Sequence, residues 1–318
     1  MSKVKAIPDL HTGKKLTWRQ RVADDWRRHW MVYLMALPPL LYYVVYHYAP
    51  MYGLLIAFKD YNAVDGILGS PWAGLKYFKQ FFGSVFFFRT LKNTVVISLL
   101  TILFTFPAPI LLALLMNEIR GKMFKKTVQT VTYIPHFISI IVICGLLKDF
   151  CSEGGLFNTI AGFFGGEKKN FLLYEEYFRT IYVGSAIWQE TGWDSIIYLA
   201  ALAGIDQEQY EAARVDGANR LQQMIHITLP GIMPTIIIML ILRMGRVMNV
   251  GYEKIMLLYT PAIYNTADVI STFVYRKGIL EANYSYSAAV GLFNSVVNCF
   301  LVVMTNKISR RTSETSLW

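Results

Sequence analysis

Charge is what this chain has least of. Of its 318 residues only 16% are Asp, Glu, Lys or Arg, while 54% are hydrophobic. A soluble globule carries roughly a quarter charged residues, so the polar coat that a water-exposed fold of this size needs is missing. With a mean hydropathy of +0.37, the composition is that of an integral membrane protein. Cysteine is scarce as well. Cys144, Cys151 and Cys299 are odd in number and widely spaced, and two lie in apolar runs where a free thiol behaves as a small hydrophobe, which argues against a disulfide framework or a metal site. The sequence has no G-x-x-x-x-G-K-[ST] phosphate loop and no H-E-x-x-H spacing. Its histidines, His11, His29, His47, His136 and His226, are scattered, and no Ser, His and acid set can be assembled. Catalysis by this chain, a bound metal and a cofactor of its own are therefore not expected, and any energy must come from a partner.

What is abundant is apolar sequence in long runs. Spans are predicted at Met31–Ala49, Thr94–Met116, Val128–Leu147, Ile181–Ile205, Ile232–Val250 and Ser287–Thr305, each near the ~20 residues that cross a bilayer. The expected fold is an all-α polytopic bundle of six transmembrane helices. Pro38 and Pro39 should bend the first span, and Pro107 and Pro109 should kink the second. The net charge of +10 could suggest nucleic acid, but eight basic residues precede the first span: Lys3, Lys5, Lys14, Lys15, Arg19, Arg21, Arg27 and Arg28. Basic residues are retained on the cytoplasmic side, so the excess reads as an orientation signal, and six spans put both termini inside. The expected organisation is a basic cytoplasmic tail over residues 1–29, a transmembrane domain over 30–306 and a cytoplasmic tail over 307–318. The aromatic stretch between the first two spans reads either as an interfacial helix or as a segment packed on the bundle. The glycines from Gly154 to Gly166 read as a loop cap.

Between the fourth and fifth predicted spans, on the predicted inner side, lies Asp206–Pro230, DQEQYEAARVDGANRLQQMIHITLP. Asp206 can cap a first helix reaching Val215, with Gln209 folding back toward it. Gly217 permits a sharp turn after Asp216, and a second helix from Ala218 to Ile227 should end at Pro230. Tyr210, Leu221, Met224 and Ile225 offer apolar knobs to a partner. Glu211, Ala212, Ala213, Gly217, Ile227, Leu229 and Pro230 fall at all seven fixed positions of a 20-residue pattern. That pattern resembles the EAA signature of permeases in binding-protein-dependent ABC importers. The stretches YAPMYGLLIAFKDYN, SPWAGLKYFKQFF, NTVVISLL, YIPHFIS and GYEKIMLLY are similar to the carbohydrate branch of that family, in particular its oligosaccharide and polysaccharide importers. The resemblance implies a type I importer permease in a bacterial inner membrane. It also implies a second, homologous permease, two ATP-binding subunits that hold ATP and Mg, an extracytoplasmic solute-binding protein and a carbohydrate substrate. By the same resemblance Glu211, Ala212, Ala213 and Gly217 would couple to the ATPase, with Asp216, Leu229 and Pro230 completing the segment. A secondary transporter and a membrane scaffold subunit are the competing readings; neither needs the EAA device.

Ionisable residues inside a span face a bundle interior or an aqueous cavity. In the fourth span Glu190 and Asp194 are four apart and share a helical face, roughly 15 to 23 Å above the cytoplasmic loop at 1.5 Å per residue. Arg243 and Arg246, three apart, are expected to share a face of the fifth span. The signs are complementary, so the arginines either pair with those carboxylates or leave one guanidinium free to grip a carboxylate of an acidic sugar. In the last span Ser287, Gly291, Asn294 and Asn298 form a small, polar stripe that either lines a passage or packs against a neighbouring helix. Trp188, Trp193 and Tyr198 are candidates for stacking on sugar rings, or belong to the interfacial aromatics.

Overall fold

The structure, a computed structural model, describes residues 18–312. The predicted tail lysines Lys3, Lys5, Lys14 and Lys15 lie outside the described residues. Two compact units divide at Leu55 and Ile56. In the first, helix α1 (Trp18–Tyr43) is interrupted at His29, whose φ of −123° and ψ of 21° leave the helical region. At Pro38 and Pro39, where a bend is expected from the sequence, the helix continues, and it loosens at Val44–Tyr48 into a π turn. Each proline removes one rung of the ladder, a loss a membrane helix tolerates when the other rungs hold.

The second unit begins with an outer segment in which Asp60 accepts a hydrogen bond from Lys76 Nζ at 2.8 Å and another from the Tyr77 hydroxyl. These two donors hold the Asp60 carboxyl below the usual carboxylate range. Helix α2 (Lys76–Phe82) follows. Its Phe81 is 1% exposed, with the Phe273 and Phe293 rings at 6.2 and 5.7 Å. The aromatic segment is therefore packed on the bundle. Helices α3 (Val85–Thr105) and α4 (Pro107–Glu118) form one apolar run of 34 residues, broken at Phe106, where Pro107 supplies no amide.

The third predicted span is not one straight helix. Helix α5 (Lys122–Tyr133) passes through a 3-10 turn at Ile134–Phe137 and stops, and α6 (Ile140–Cys151) leaves at 98°. Pro135 cannot continue the ladder, and Ser139 starts a new helix by accepting the Val142 amide on its side chain. The expected glycine loop contains helix α7 (Leu156–Phe163), because the run between its glycines is apolar and amphipathic enough to pack. Helix α8 (Glu175–Ala203) is the long central element. Beyond it come α9 (Gln207–Val215), α10 (Leu229–Met244), α11 (Tyr252–Leu258), α12 (Ile270–Tyr275) and α13 (Tyr284–Thr312).

Among the described residues four runs are long and apolar enough to cross a membrane: Asp25–Phe58, Val85–Glu118, Arg220–Met244 and Tyr284–Arg310. The bent α5–α7 pair makes a fifth. At 1.5 Å per residue α8 is about 43 Å long, sufficient for a sixth crossing, but it carries Arg179, Glu190 and Asp194 and is not among the apolar runs. Length and composition thus give four or five crossings, and a sixth requires a polar helix.

Helix α8 touches most of the interior. Phe178, Tyr182 and Val183 join Ile97 of α3, Ile143, Cys144 and Leu147 of α6, and Ile255 and Leu258 of α11 in one core. Toward its other end, Tyr198 and Leu202 pack with Ala113 and Leu114 of α4 and Ile232 of α10. At Gly192 the backbones of α8 and α5 nearly touch: a Cβ there would fall 2.0 Å from the Thr132 carbonyl oxygen, so only glycine fits. A third core, around Phe81, Phe273 and Tyr286, gathers α2, α12 and α13.

One buried carboxylate ties several of these elements together. Asp268, with no exposed surface, accepts from Arg276 at 2.6 and 3.2 Å, from Arg89 of α3 at 3.4 Å and from Thr272 at 2.9 Å. Its backbone carbonyl accepts from Asn93, whose side-chain oxygen takes a hydrogen bond from Arg179 of α8. Removing one partner of a buried pair strands the other charges and costs about 3–5 kcal/mol. Asp268→Ala should therefore lower the thermal unfolding midpoint of the detergent-solubilised protein by many degrees, whereas Asp60→Asn, at an exposed pair, should leave it nearly unchanged; equal midpoints would remove Asp268 from this role.

Candidate functional site

Two regions carry the polar chemistry, one at the α9 corner and one inside the helices. The corner is built from local hydrogen bonds. Asp206 caps α9 by accepting the Glu208 amide at 3.0 Å, not by the expected exchange with Gln209. At the other end Asp216 is the cap residue and Gly217 follows with φ of +78°, a conformation that strains any residue with a side chain. The Gly217 and Ala218 amides return to the Arg214 and Ala213 carbonyls at 3.1 and 2.9 Å, the paired closure of a Schellman motif. Asn219 and Gln222 then exchange side-chain and backbone bonds in a capping box that starts the next helix.

That helix does not end at Pro230. It runs from Arg220 to Met244 as one 25-residue element, widened at Met224–Thr228 into a π turn closed by the Leu229 amide on the Met224 carbonyl. Proline is tolerated in a first turn, where its missing amide has no rung to fill, and the wider turn lets the chain pass through it. Leu229 packs with the α4–α8–α10 core and Pro230 is exposed. The Tyr210 hydroxyl lies 2.9 Å from Thr228 Oγ1, and Arg220 reaches Glu118 of α4 at 3.4 Å, so the corner is fastened to the membrane helices at two points. Glu211, Ala212, Asp216 and Gly217 are exposed, while Ala213 is half-buried and lines a groove of about 320 Å³ with Gly217, Gln222 and His226. Of the expected apolar knobs, Leu221 and Ile225 are exposed, whereas Tyr210 and Met224 are half-buried in internal contacts. Val215, 88% exposed at the end of α9, is the knob that the motif pattern did not indicate.

Inside the bundle, Arg243 of α10 donates to Asp194 of α8 at 3.2 Å and also to the Thr105 hydroxyl of α3. Arg246 does not share a helical face with it. Helix α10 stops at Met244, and Arg246 stands in the turn that follows, exposed and without an ion pair among the described residues. The expected alternatives are thus divided between the two residues: one arginine is paired, the other is free. Both line a cavity of about 430 Å³ with Asp194, Ser98, Thr101, Tyr182 and Asn249.

Glu190 forms no ion pair with Arg243. It meets His136 of the bent segment at 3.1 Å, and the His136 ring stacks on Trp193 with centroids 4.5 Å apart. Histidine spacing alone gave no hint of this pairing, although the segment Tyr133–Ser139 was among the family-like stretches. Trp188 lines a separate, almost wholly apolar cavity with Leu146, Phe150 and Phe157. Tyr198 is 2% exposed in the core and cannot stack on a ligand. The stripe on α13 makes packing contacts, Asn294 donating to Asn249 at 3.0 Å, Asn298 to the Gly245 carbonyl and Ser287 to the Val274 carbonyl at 2.8 Å, and Ser287, Gly291 and Asn294 also line a cavity of about 440 Å³. Asn294 and Asn298 therefore hold the turn that presents Arg246. Tyr182, Asn249 and Thr105 are lining or anchoring residues that no sequence pattern singled out. Among the described residues no three His, Cys, Asp or Glu side chains converge as metal ligands.

Comparison with known proteins agrees with this architecture. Residues 105–314 match the family described as binding-protein-dependent transport system inner membrane component. The chain is 46% identical to the polygalacturonan/rhamnogalacturonan transport system permease protein YteP of Bacillus subtilis over 288 residues, 90% of each chain. It is 44% identical to protein LplB of the same organism over 317 residues, covering 99% of this chain and 98% of that one. Among solved structures it is similar to a chain of a bacterial ABC transporter involved in the import of the acidic polysaccharide alginate, with a TM-score of 0.86, 45% identity, and 92% and 99% of the two chains covered. It resembles equally a chain of the bacterial alginate ABC transporter in complex with an alginate pentasaccharide-bound periplasmic protein, with a TM-score of 0.87, 44% identity, and 93% and 100% covered. An all-α membrane bundle with an exposed EAA corner and these relatives leads to one assignment: the chain belongs to the binding-protein-dependent inner membrane transport components, as a permease of an ABC transporter.

Proposed function

We propose that this permease is half of the membrane passage of an importer for acidic oligosaccharides, driven by separate ATP-binding subunits at the Glu211–Gly217 corner. The observation that carries the reading is the corner itself, an exposed, hydrogen-bonded bend whose second arm is continuous with a membrane-crossing helix. A push on Ala212, Ala213 or Val215 would pass through the short Asp216–Asn219 turn into the arm that continues as α10. Two ATPase subunits, a second permease and an extracytoplasmic solute-binding protein complete the assembly. Both termini and the corner lie in the cytoplasm under this reading, in keeping with the basic residues before the first span. Under this reading the ATP and Mg belong to the partners, in keeping with a sequence that has no G-x-x-x-x-G-K-[ST] phosphate loop.

An acidic substrate follows from charge. Within the cavity that both arginines line, Arg243 spends its charge on Asp194, whereas Arg246 has no carboxylate. A guanidinium fork matches a sugar carboxylate with two parallel hydrogen bonds. The similar transporter of alginate is described as handling an acidic polysaccharide, and galacturonan, which the YteP protein's description names, is by its chemistry a polyuronate.

Two measurements on the reconstituted assembly check this. A β-branched residue in the left-handed region costs about 1–2 kcal/mol, so Gly217→Val should distort the corner and cut the stimulation of ATP hydrolysis by loaded binding protein about tenfold, while the membrane helices still fold; unchanged stimulation would exclude the coupling role. Losing a charge-assisted hydrogen bond costs about 1.5–3 kcal/mol, so Arg246→Gln should reduce uptake of a uronic pentasaccharide about tenfold or more and spare a neutral one. An equal effect on both sugars would count against an acidic substrate.

A further inference from the structure

Lys254, in α11, is the least accommodated charge in the described chain. It is 6% exposed, and its Nζ is buried with no hydrogen-bond partner. The ammonium lies over the Tyr182 ring, 5.5 Å from the centroid. A buried charge without a counter-ion is expensive, and a surrounding that provides none points to one that arrives from outside.

The place is suited to an arriving ligand. Lys254 lines a second cavity of about 430 Å³ with Gln189, Glu190, Tyr252 and Glu253, and this cavity shares Tyr182 and Gly251 with the one that holds Arg243 and Arg246. Tyr182 and Gly251 are thus a common wall between two polar chambers, with an unpaired cation in each. The carboxylates near Lys254 form no ion pair or hydrogen bond with it. Glu190 is engaged by His136 at 3.1 Å, and Glu253 is exposed and forms no ion pair among the described residues. The other titratable neighbour, Cys144, approaches only the Lys254 carbonyl, at 4.0 Å.

We infer that Lys254 is a second carboxylate-binding residue of the passage, receiving a uronate group of the oligosaccharide across the Tyr182–Gly251 wall from Arg246. A polyuronide carries a carboxylate on every sugar, so one chain can be held by Arg246 and Lys254 while its intervening ring passes Tyr182. This makes the permease select for charge repeated along a chain. The inference rests on the acidic-substrate reading above.

The test uses the complete assembly in proteoliposomes with its binding protein, and a pentagalacturonide beside its carboxyl-reduced, neutral counterpart. Lys254→Met keeps the length of the side chain and removes the charge. Uptake of the pentagalacturonide should fall about tenfold, uptake of the neutral pentamer should change less than about twofold, and Lys254→Arg should restore most of the acidic uptake. A second readout does not depend on turnover: in a Cys299→Ser background, Lys254→Cys should react with an anionic methanethiosulfonate, and the pentagalacturonide, but not the neutral pentamer, should protect it. Wild-type uptake indifferent to charge would defeat the acidic-substrate reading. Wild-type discrimination that survives Lys254→Met, or protection by both pentamers alike, would defeat the Lys254 assignment alone.

Discussion

An ion in an apolar bundle needs a counter-ion, and the inner architecture of this permease follows from that requirement. Arg243 and Asp194, on different helices, each make the other's burial tolerable, and their contact holds α10 against α8. Thr105 adds α3 to the same junction. At the other end of the helices Asp268 does the same for Arg89 and Arg276, with Asn93 passing the link on to Arg179. Charges that would be intolerable singly thus serve as fasteners between elements whose apolar faces could slide on one another. Where no fastener closes, at Arg246 and Lys254, a cavity lies beside the cation.

The path from corner to passage is mechanically continuous. The corner hydrogen-bonds itself into shape through Gly217 and the Asn219–Gln222 box, and the Tyr210–Thr228 contact clamps its two arms together. Its second arm becomes α10, the helix that ends one residue beyond Arg243 and delivers Arg246 in the following turn. Displacement of the corner therefore reaches the charged cavity along one helix. The bent α5–α6 segment meets α8 through Gly192, Trp193 and the His136–Glu190 pair. Helix α8 is thus held by α10 and by the bent segment.

Much of this was legible in the residues. The apolar runs marked the long helices, the EAA spacing marked the corner, and complementary charges on two spans anticipated the Arg243–Asp194 pair. The errors have local causes. Pro230 suggested a helix end, but a proline constrains only one rung, and neighbouring turns decide whether the helix survives. The third span looked continuous because hydropathy does not register a turn of nearly a right angle at Pro135 and Ser139, made of residues no more polar than their neighbours. Arg246 was placed on a helix that stops two residues before it. Tyr198 was offered as a stacking platform because an aromatic residue near a cavity and one in a core have the same sequence pattern.

Composition and periodicity by themselves determined that this protein lives in a membrane as a helical bundle, and a 20-residue pattern determined where its exposed corner lies, because those properties depend on residues close together along the chain. Which charges find partners was decided only by the tertiary structure. Lys254, 60 residues from Asp194 in sequence, is left unpaired by helices that place Glu190 and Glu253 on the same cavity but not within ion-pair reach, and His136 acquires its partner from a turn that carries it to Glu190. Pairing between distant residues is a matter of packing geometry, which no local pattern records.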